Sequence, residues 1–304
     1  MQRVRNVALS QRPSEAFGAY LFLLPALLPL LLFVYLPLAA NLALSLTDWN
    51  LLRAEARFVG LENYLALFRD PAFSQVVGQS LIYMVLAALG NFLLPLGLAL
   101  LTQGVRGRWQ EFYQSLLFLP TVAAVSVASL VWLYLYLPAA GPLAKLFAAL
   151  GLGLPPLLAD PRTALPAVAL VANWKFLGFH YLIALAALKG LPREVLEAAR
   201  VDGAQGLPLL RWVVLPLLGP VLFFLFLSAL ASALEYAFVP IEVMTQGGPF
   251  GRTSNLMYAV YQEAFRFFRT GVAAAEAVLL TLGLGILILG QLRLLEGRVR
   301  GAQG

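Results

Sequence analysis

The stretch Leu188–Pro220, LKGLPREVLEAARVDGAQGLPLLRWVVLPLLGP, joins two apolar runs through a short charged segment holding Glu194, Glu197, Arg200 and Asp202. Gly190 ends the first run, and Pro192 stands where a helix accepts proline, in its first turn. Arg193, Glu194, Glu197 and Arg200 then recur at three- and four-residue spacing along one face, with Val195, Leu196 and Ala199 on the other. Gly203 supplies the stop, because glycine takes the left-handed conformation that closes a helix. The spacing predicts a short amphipathic helix between two spans. It could rest at the membrane interface. It could equally dock as a knob in a partner's groove, Ala198 and Ala199 allowing close approach and the charges setting orientation. Periodicity does not separate the two.

The surroundings fix the class. Of 304 residues 61% are hydrophobic and only 12% charged, with a mean hydropathy of +0.83. Those values, with apolar runs long enough to cross a bilayer, describe an all-α, polytopic membrane protein. Cysteine is absent and His180 is the sole histidine, so disulfides, thiolate or His-based metal sites and a Ser/His/Asp triad lack raw material. The net charge of +6 is scattered around apolar segments rather than gathered on one face, which argues against nucleic acid and for topology. The basic amino terminus leads into an apolar run too long for a cleaved signal, which reads as a retained first span.

Six segments meet or approach the length of a span: 17–45, 76–102, 112–137, 163–188, 209–235 and 272–292. Prolines inside them, such as Pro37, Pro120 and Pro216, predict kinks that neighbouring helices can satisfy. Basic residues outnumber on the flanks holding Arg3, Arg5, Arg12, Arg106, Arg108, Lys189 and Arg293, which places both termini and the charged loop in the cytoplasm. The chain divides into an amino-terminal tail, first span and outer loop (1–74), a core unit (75–295) with its loop at 189–211, and a tail (296–304). Within the outer loop, TDWNLLRAEARFVGLENYLALFRDPAF predicts a short surface helix.

The run Glu197, Ala198, Ala199, then Asp202, Gly203 and, further on, Leu215 and Pro216 resembles the Glu-Ala-Ala loop of permease subunits of binding-protein-dependent ABC importers, carbohydrate branch. FLLPALL, FVGLENYLALFRDPAF, the Phe118–Pro120 triplet and TQGGPFGRTS match the same family in order. The resemblance implies about six transmembrane helices and a cytoplasmic coupling helix, with Glu194, Glu197, Ala198, Ala199, Asp202 and Gly203 docked on an ATP-binding subunit. It also implies a second homologous permease subunit, two copies of the ATP-binding subunit, an extracytoplasmic solute-binding protein, and a multi-pass place in a prokaryotic plasma membrane, the inner one where there are two. The chain carries no Gly-rich phosphate loop, so ATP and Mg belong to the partners and no cofactor or metal to this chain.

Charges within spans single out Lys175, Glu235 and Glu276 as functional candidates, although the two glutamates sit near outer ends where interfacial water is in reach. Lys175 lies fourteen residues before Lys189, about 21 Å along the helix. Likeness to the maltose-type permease implies a substrate path at Asn173, Lys175, Phe176 and Phe179 on one side and Leu234, Glu235 and Ala237 on the other. Leu234 and Ala237 depart from the polar character expected there. Aromatics would stack on a sugar ring, while Lys175 would also suit the phosphate of a glycerol-phosphate permease. His180 reads as a packing or hydrogen-bonding residue, and TQGGPFGRTSN as a tight outer turn in reach of the binding protein. An ion-coupled secondary transporter would show inverted repeats or membrane carboxylates, neither of which is evident.

Overall fold

A computed structural model describes the backbone of residues 13–301 apart from residue 54, and side chains over 22–293 apart from residues 54, 231 and 235. The basic flank Arg3, Arg5 and Arg12 and the carboxyl-terminal tail beyond residue 301 lie outside the described residues. In chain order the helices are α1 (Pro13–Leu30), α2 (Leu36–Leu44), α3 (Glu62–Arg69), α4 (Pro71–Thr102), α5 (Arg108–Val122), α6 (Val125–Leu135) and α7 (Pro142–Ala149). There follow α8 (Ala164–Lys189), α9 (Arg193–Val201), α10 (Leu207–Leu209), α11 (Leu215–Leu217), α12 (Gly219–Met244), α13 (Leu256–Tyr261) and α14 (Thr270–Gly301). A single antiparallel bridge, Thr47 to Phe58, is the only extended pairing among the described residues.

Four helices are continuous spans: Phe22–Leu44, Pro71–Thr102, Ala164–Lys189 and Thr270–Arg293. The third and fifth of the six expected segments are bent pairs, so the spans number six when each pair counts as one. The third is broken between α5 and α6 by 99°, and the fifth bends by 74° between Leu207–Leu217 and α12. The fifth has an evident local cause, since Pro216 and Pro220 flank the bend at Leu218. Proline also explains two π-helical turns. Before Pro37 the Leu36 N–H bonds five residues back to Leu31 O, and before Pro216 the Leu215 N–H does the same to Leu210 O. A missing donor makes the ladder slip by one residue, and the slip appears as a wide turn.

The bundle is built around α8, whose most apolar window is 61% buried. Lipid tails are as apolar as leucine, so close packing and interhelical hydrogen bonds must hold such helices together. Small residues serve the first need: Ala87 and Ala88 of α4, Ala167 and Ala169 of α8, and Ala233 and Ala237 of α12 are all buried. Gly178 brings α8 against α5, and a Cβ there would stand 2.2 Å from Leu117 O, so only glycine fits. The core has one cluster toward α13, with Tyr83, Val168, Leu234 and Tyr258, and another at the opposite end, with Leu96, Leu185, Leu188, Leu218 and Leu225. The first span Phe22–Leu44 buries none of its residues within the chain and is tied to α14 by Asn41 Nδ2, which donates to Ala274 O at 3.3 Å.

Candidate functional site

The charged stretch folds as the spacing predicted. Pro192 takes the N-cap position, one residue ahead of the first turn, and Glu194 lies in that turn, where a carboxylate suits the helix dipole. At the far end Asp202 is the C-cap, and Gly203 has φ +89°. Gly203 N–H donates to Arg200 O at 3.1 Å and Ala204 N–H to Ala199 O at 2.9 Å, the paired bonds of a Schellman motif. Glu194, Glu197, Ala198, Asp202 and Gly203 are exposed and Ala199 half-buried. Among the described residues no ion pair involves Arg193, Glu194, Glu197 or Arg200. Val195 and Val201 are 42% and 87% exposed, while Leu196 and Ala199 are half-buried, so the apolar face of α9 is only partly covered.

Although α9 stands proud, both its stems are anchored. Leu191 before it and Val214 and Leu215 after it pack on the cluster of Leu96, Tyr181, Leu185, Leu188 and Leu225, which joins α4, α8 and α12. Tyr181 OH adds a 2.8 Å hydrogen bond to Thr102 Oγ1 at the end of α4. A push on α9 therefore bears on three helices through close-packed side chains, and such interiors transmit displacement rather than absorb it.

The path candidates fall at several places along α8 and α12. Asn173, 8% exposed, accepts from Asn91 Nδ2 at 3.1 Å and donates to Leu86 O at 3.2 Å, clamping α8 to α4. Gly90 leaves the room, because a Cβ on it would meet the Asn173 amide at 2.1 Å. Lys175, 6% exposed, turns its ammonium to the α5–α6 break, where Nζ donates to Thr121 O at 2.9 Å and Ala123 O at 2.5 Å. Thr121 Oγ1 answers by donating to Lys175 O at 2.9 Å. Ala123 and Ala124 are extended, with ψ 142° and 143°, so α5 ends abruptly and exposes its last carbonyls to a cation. Phe176 stacks on Tyr236 of α12, with ring centroids 4.2 Å apart. Phe179 is 41% exposed. His180 is buried, with Nδ1 3.0 Å from Phe176 O and Nε2 unpartnered. Leu234 and Ala237 are buried in the core. The Glu235 side chain lies outside the described residues.

Residue patterns gave no notice of Thr121, Gly90, Gly178 or Asn91, which make the α8 contacts. The one signal available was a polar residue within an apolar run, as at Asn91.

At the end opposite α9, the turn Thr245–Ser254 is held by Thr245 Oγ1 to Thr253 Oγ1 at 2.7 Å and Thr253 Oγ1 to Gly248 O at 2.7 Å. Beside it, Glu242 accepts both Arg266 Nη2, at 2.8 Å and 2.9 Å, and Tyr258 OH, at 2.7 Å. Burial, reinforced by that carboxylate, pushes the Tyr258 hydroxyl well above the usual phenol range. Glu276 lies near the start of α14 and is 4% exposed, buried rather than at the interface.

Comparison with known proteins accords with this architecture. A family model described as "Binding-protein-dependent transport system inner membrane component" matches residues 107–301, from α5 through α14. The sn-glycerol-3-phosphate transport system permease protein UgpA of Agrobacterium fabrum is 33% identical over 285 residues, covering 92% of this chain and 95% of that protein. The probable ABC transporter permease protein YurN of Bacillus subtilis is 32% identical over 277 residues, covering 88% and 93%. A bacterial alginate ABC transporter, solved with an alginate pentasaccharide-bound periplasmic protein, shares the fold at TM-score 0.80 and 21% identity, over 91% of this chain and 93% of that one. The chain belongs to the family of binding-protein-dependent transport system inner membrane components and is a multi-pass permease of an ABC importer.

Proposed function

We propose that this chain forms half of the translocation path of a carbohydrate importer of the prokaryotic inner membrane, with α9 as its coupling helix. The observation that carries the reading is α9 itself: a capped, exposed amphipathic helix whose stems enter the core cluster joining α4, α8 and α12. In this reading α9 sits in a cleft of a separate ATP-binding subunit, with Glu194 and Glu197 orienting it and Ala198 and Ala199 allowing close approach. ATP closes a pair of such subunits, α9 moves, and the helices around α8 exchange an inward for an outward opening. A second homologous permease supplies the other wall, and a docked binding protein delivers the solute.

The residues around α8 favour a neutral solute. Lys175 already spends two of its three ammonium donors on backbone carbonyls, which leaves it less free to hold a phosphate. Phe179, exposed on the same helix, offers an apolar face of the kind a sugar ring stacks on. The second reading is import of glycerol phosphate, which the names of relatives such as UgpA favour. Ligand identification on the cognate binding protein, followed by uptake in vesicles holding the complete transporter, separates the two. Docking is tested by Glu197→Lys and Gly203→Pro. Each is expected to release the ATP-binding subunits or to uncouple ATP hydrolysis from uptake, and normal co-purification with normal uptake in both would refute the assignment of α9.

A further inference from the structure

At the membrane face opposite α9, the end of α3, the start of α4, the turn Thr245–Ser254 and the first turns of α14 enclose a cavity of about 600 Å³. Its charged lining is Asp70, Glu263 and Glu276 against a single cation, Arg269. Arg269 Nη2 is engaged by Glu263 Oε1 at 2.6 Å, and Asp70 Oδ1 accepts from Ala72 N–H at 2.8 Å as the cap of α4. Glu263 Oε2 and Glu276 Oε2 are buried and have no hydrogen-bond partner, and the whole Glu276 residue is 4% exposed. A buried carboxyl oxygen without a donor is costly, and both residues line the cavity, so its acidic lining has acceptor capacity that the chain's own donors leave unmet. Among the described residues no group of three or more acidic or histidine side chains is arranged to hold a metal ion, which favours an organic cation.

The rim shows what presents that cation. Phe250 is 87% exposed and Phe267 54% exposed, and both line the cavity. The turn beneath Phe250 is fixed from two sides, by Thr253 and by Gln75 Nε2, which donates to Phe250 O at 3.0 Å. Exposed aromatics on a rigid backbone around a charged recess are what an anchoring side chain of a partner protein requires. We propose that this cavity is a socket for one basic side chain, Arg or Lys, of the extracytoplasmic binding protein, with Phe250 and Phe267 packing on the surface around it. The proposal rests on the importer reading above and adds the chemistry of the contact.

The test uses the complete transporter in lipid nanodiscs and the cognate binding protein, with Kd measured at low salt and at about 150 mM salt, where charge attraction is screened. Glu276→Gln preserves shape and disturbs no ion pair, so it is the primary variant. It and Glu263→Gln should raise Kd about tenfold or more at low salt and flatten its salt dependence. Phe250→Ala should raise Kd while leaving the salt dependence as in the parent. Glu263→Lys should abolish binding and regain it when the matching Arg or Lys of the binding protein is made Glu. Unchanged Kd and salt dependence in both Glu276→Gln and Phe250→Ala would overturn the socket while the importer reading stands. A parent transporter that binds no binding protein and gains no ATPase activity from one would overturn both.

Discussion

Lys175 is the residue at which a buried charge meets the backbone. Its Nζ donates to Thr121 O and Ala123 O, so the ammonium closes the end of α5. Replacement by Met would leave both carbonyls unpaired in a low-dielectric interior, at about 1–3 kcal/mol each. The Lys175→Met transporter should therefore lose on the order of 2–6 kcal/mol in denaturation experiments. If the staple is the whole role of Lys175, uptake of a neutral sugar and of a phosphorylated solute should fall by similar factors in that variant. A loss confined to the anion would move Lys175 into the path. Lys175 is conspicuous in the sequence as a charge in an apolar run, while Asn173 is singled out only by the likeness to the maltose-type permease. What they touch was not legible, because Thr121 is 54 positions from Lys175 and Leu86 is 87 from Asn173, and no local pattern encodes such separations.

Elements were legible where their boundaries are made by local chemistry. The α9 helix ends where Gly203 predicted, because a left-handed residue suffices for a Schellman close. A kink in the third span was legible from Pro120, but the place of the break, three residues later, was not. Both halves are apolar, and the break falls at Ala123–Ala124, which have no breaker chemistry of their own. Contacts from α8 hold it instead, with Gly178 against Leu117 and Lys175 across the gap. Pro120, although inside α5, then has little part in the bend. Pro120→Ala should leave uptake within about twofold of the parent, since the donor it restores lies within α5, before the break. Gly178→Leu forces α5 and α8 apart and should abolish assembly, read as loss of the complex on size-exclusion chromatography. A severe defect in the proline variant with a mild one in the glycine variant would place the cause of the bend in α5 itself.

At the scale of the molecule, the apolar surface runs opposite to that of a soluble protein. The span at Phe22–Leu44 buries nothing within the chain, while α8 at the centre is more than half buried. Hydropathy alone announced the membrane class, but it could not say which helix is central, because centrality depends on small residues and interhelical bonds rather than on mean polarity. That arrangement bears on whether the chain can act alone. The interior between α4, α8 and α12 is filled by Tyr83, Val168 and Leu234 toward one end and by Leu96, Leu185 and Leu225 toward the other. On the reading proposed above, a path for a solute then forms at a face of the bundle, against a second wall. Vesicles carrying only this chain should show uptake no greater than passive leak, with or without ATP, and on the reading proposed above uptake should appear when a second permease and ATP-binding subunits are reconstituted with it and the loaded binding protein and ATP are supplied. An apolar photoreactive label should modify Phe22–Leu44 in the chain alone and modify it less in the assembled transporter, as the second wall covers part of that span. ATP-driven accumulation by the isolated chain would mean that the filled interior opens by itself, against the close packing of both clusters.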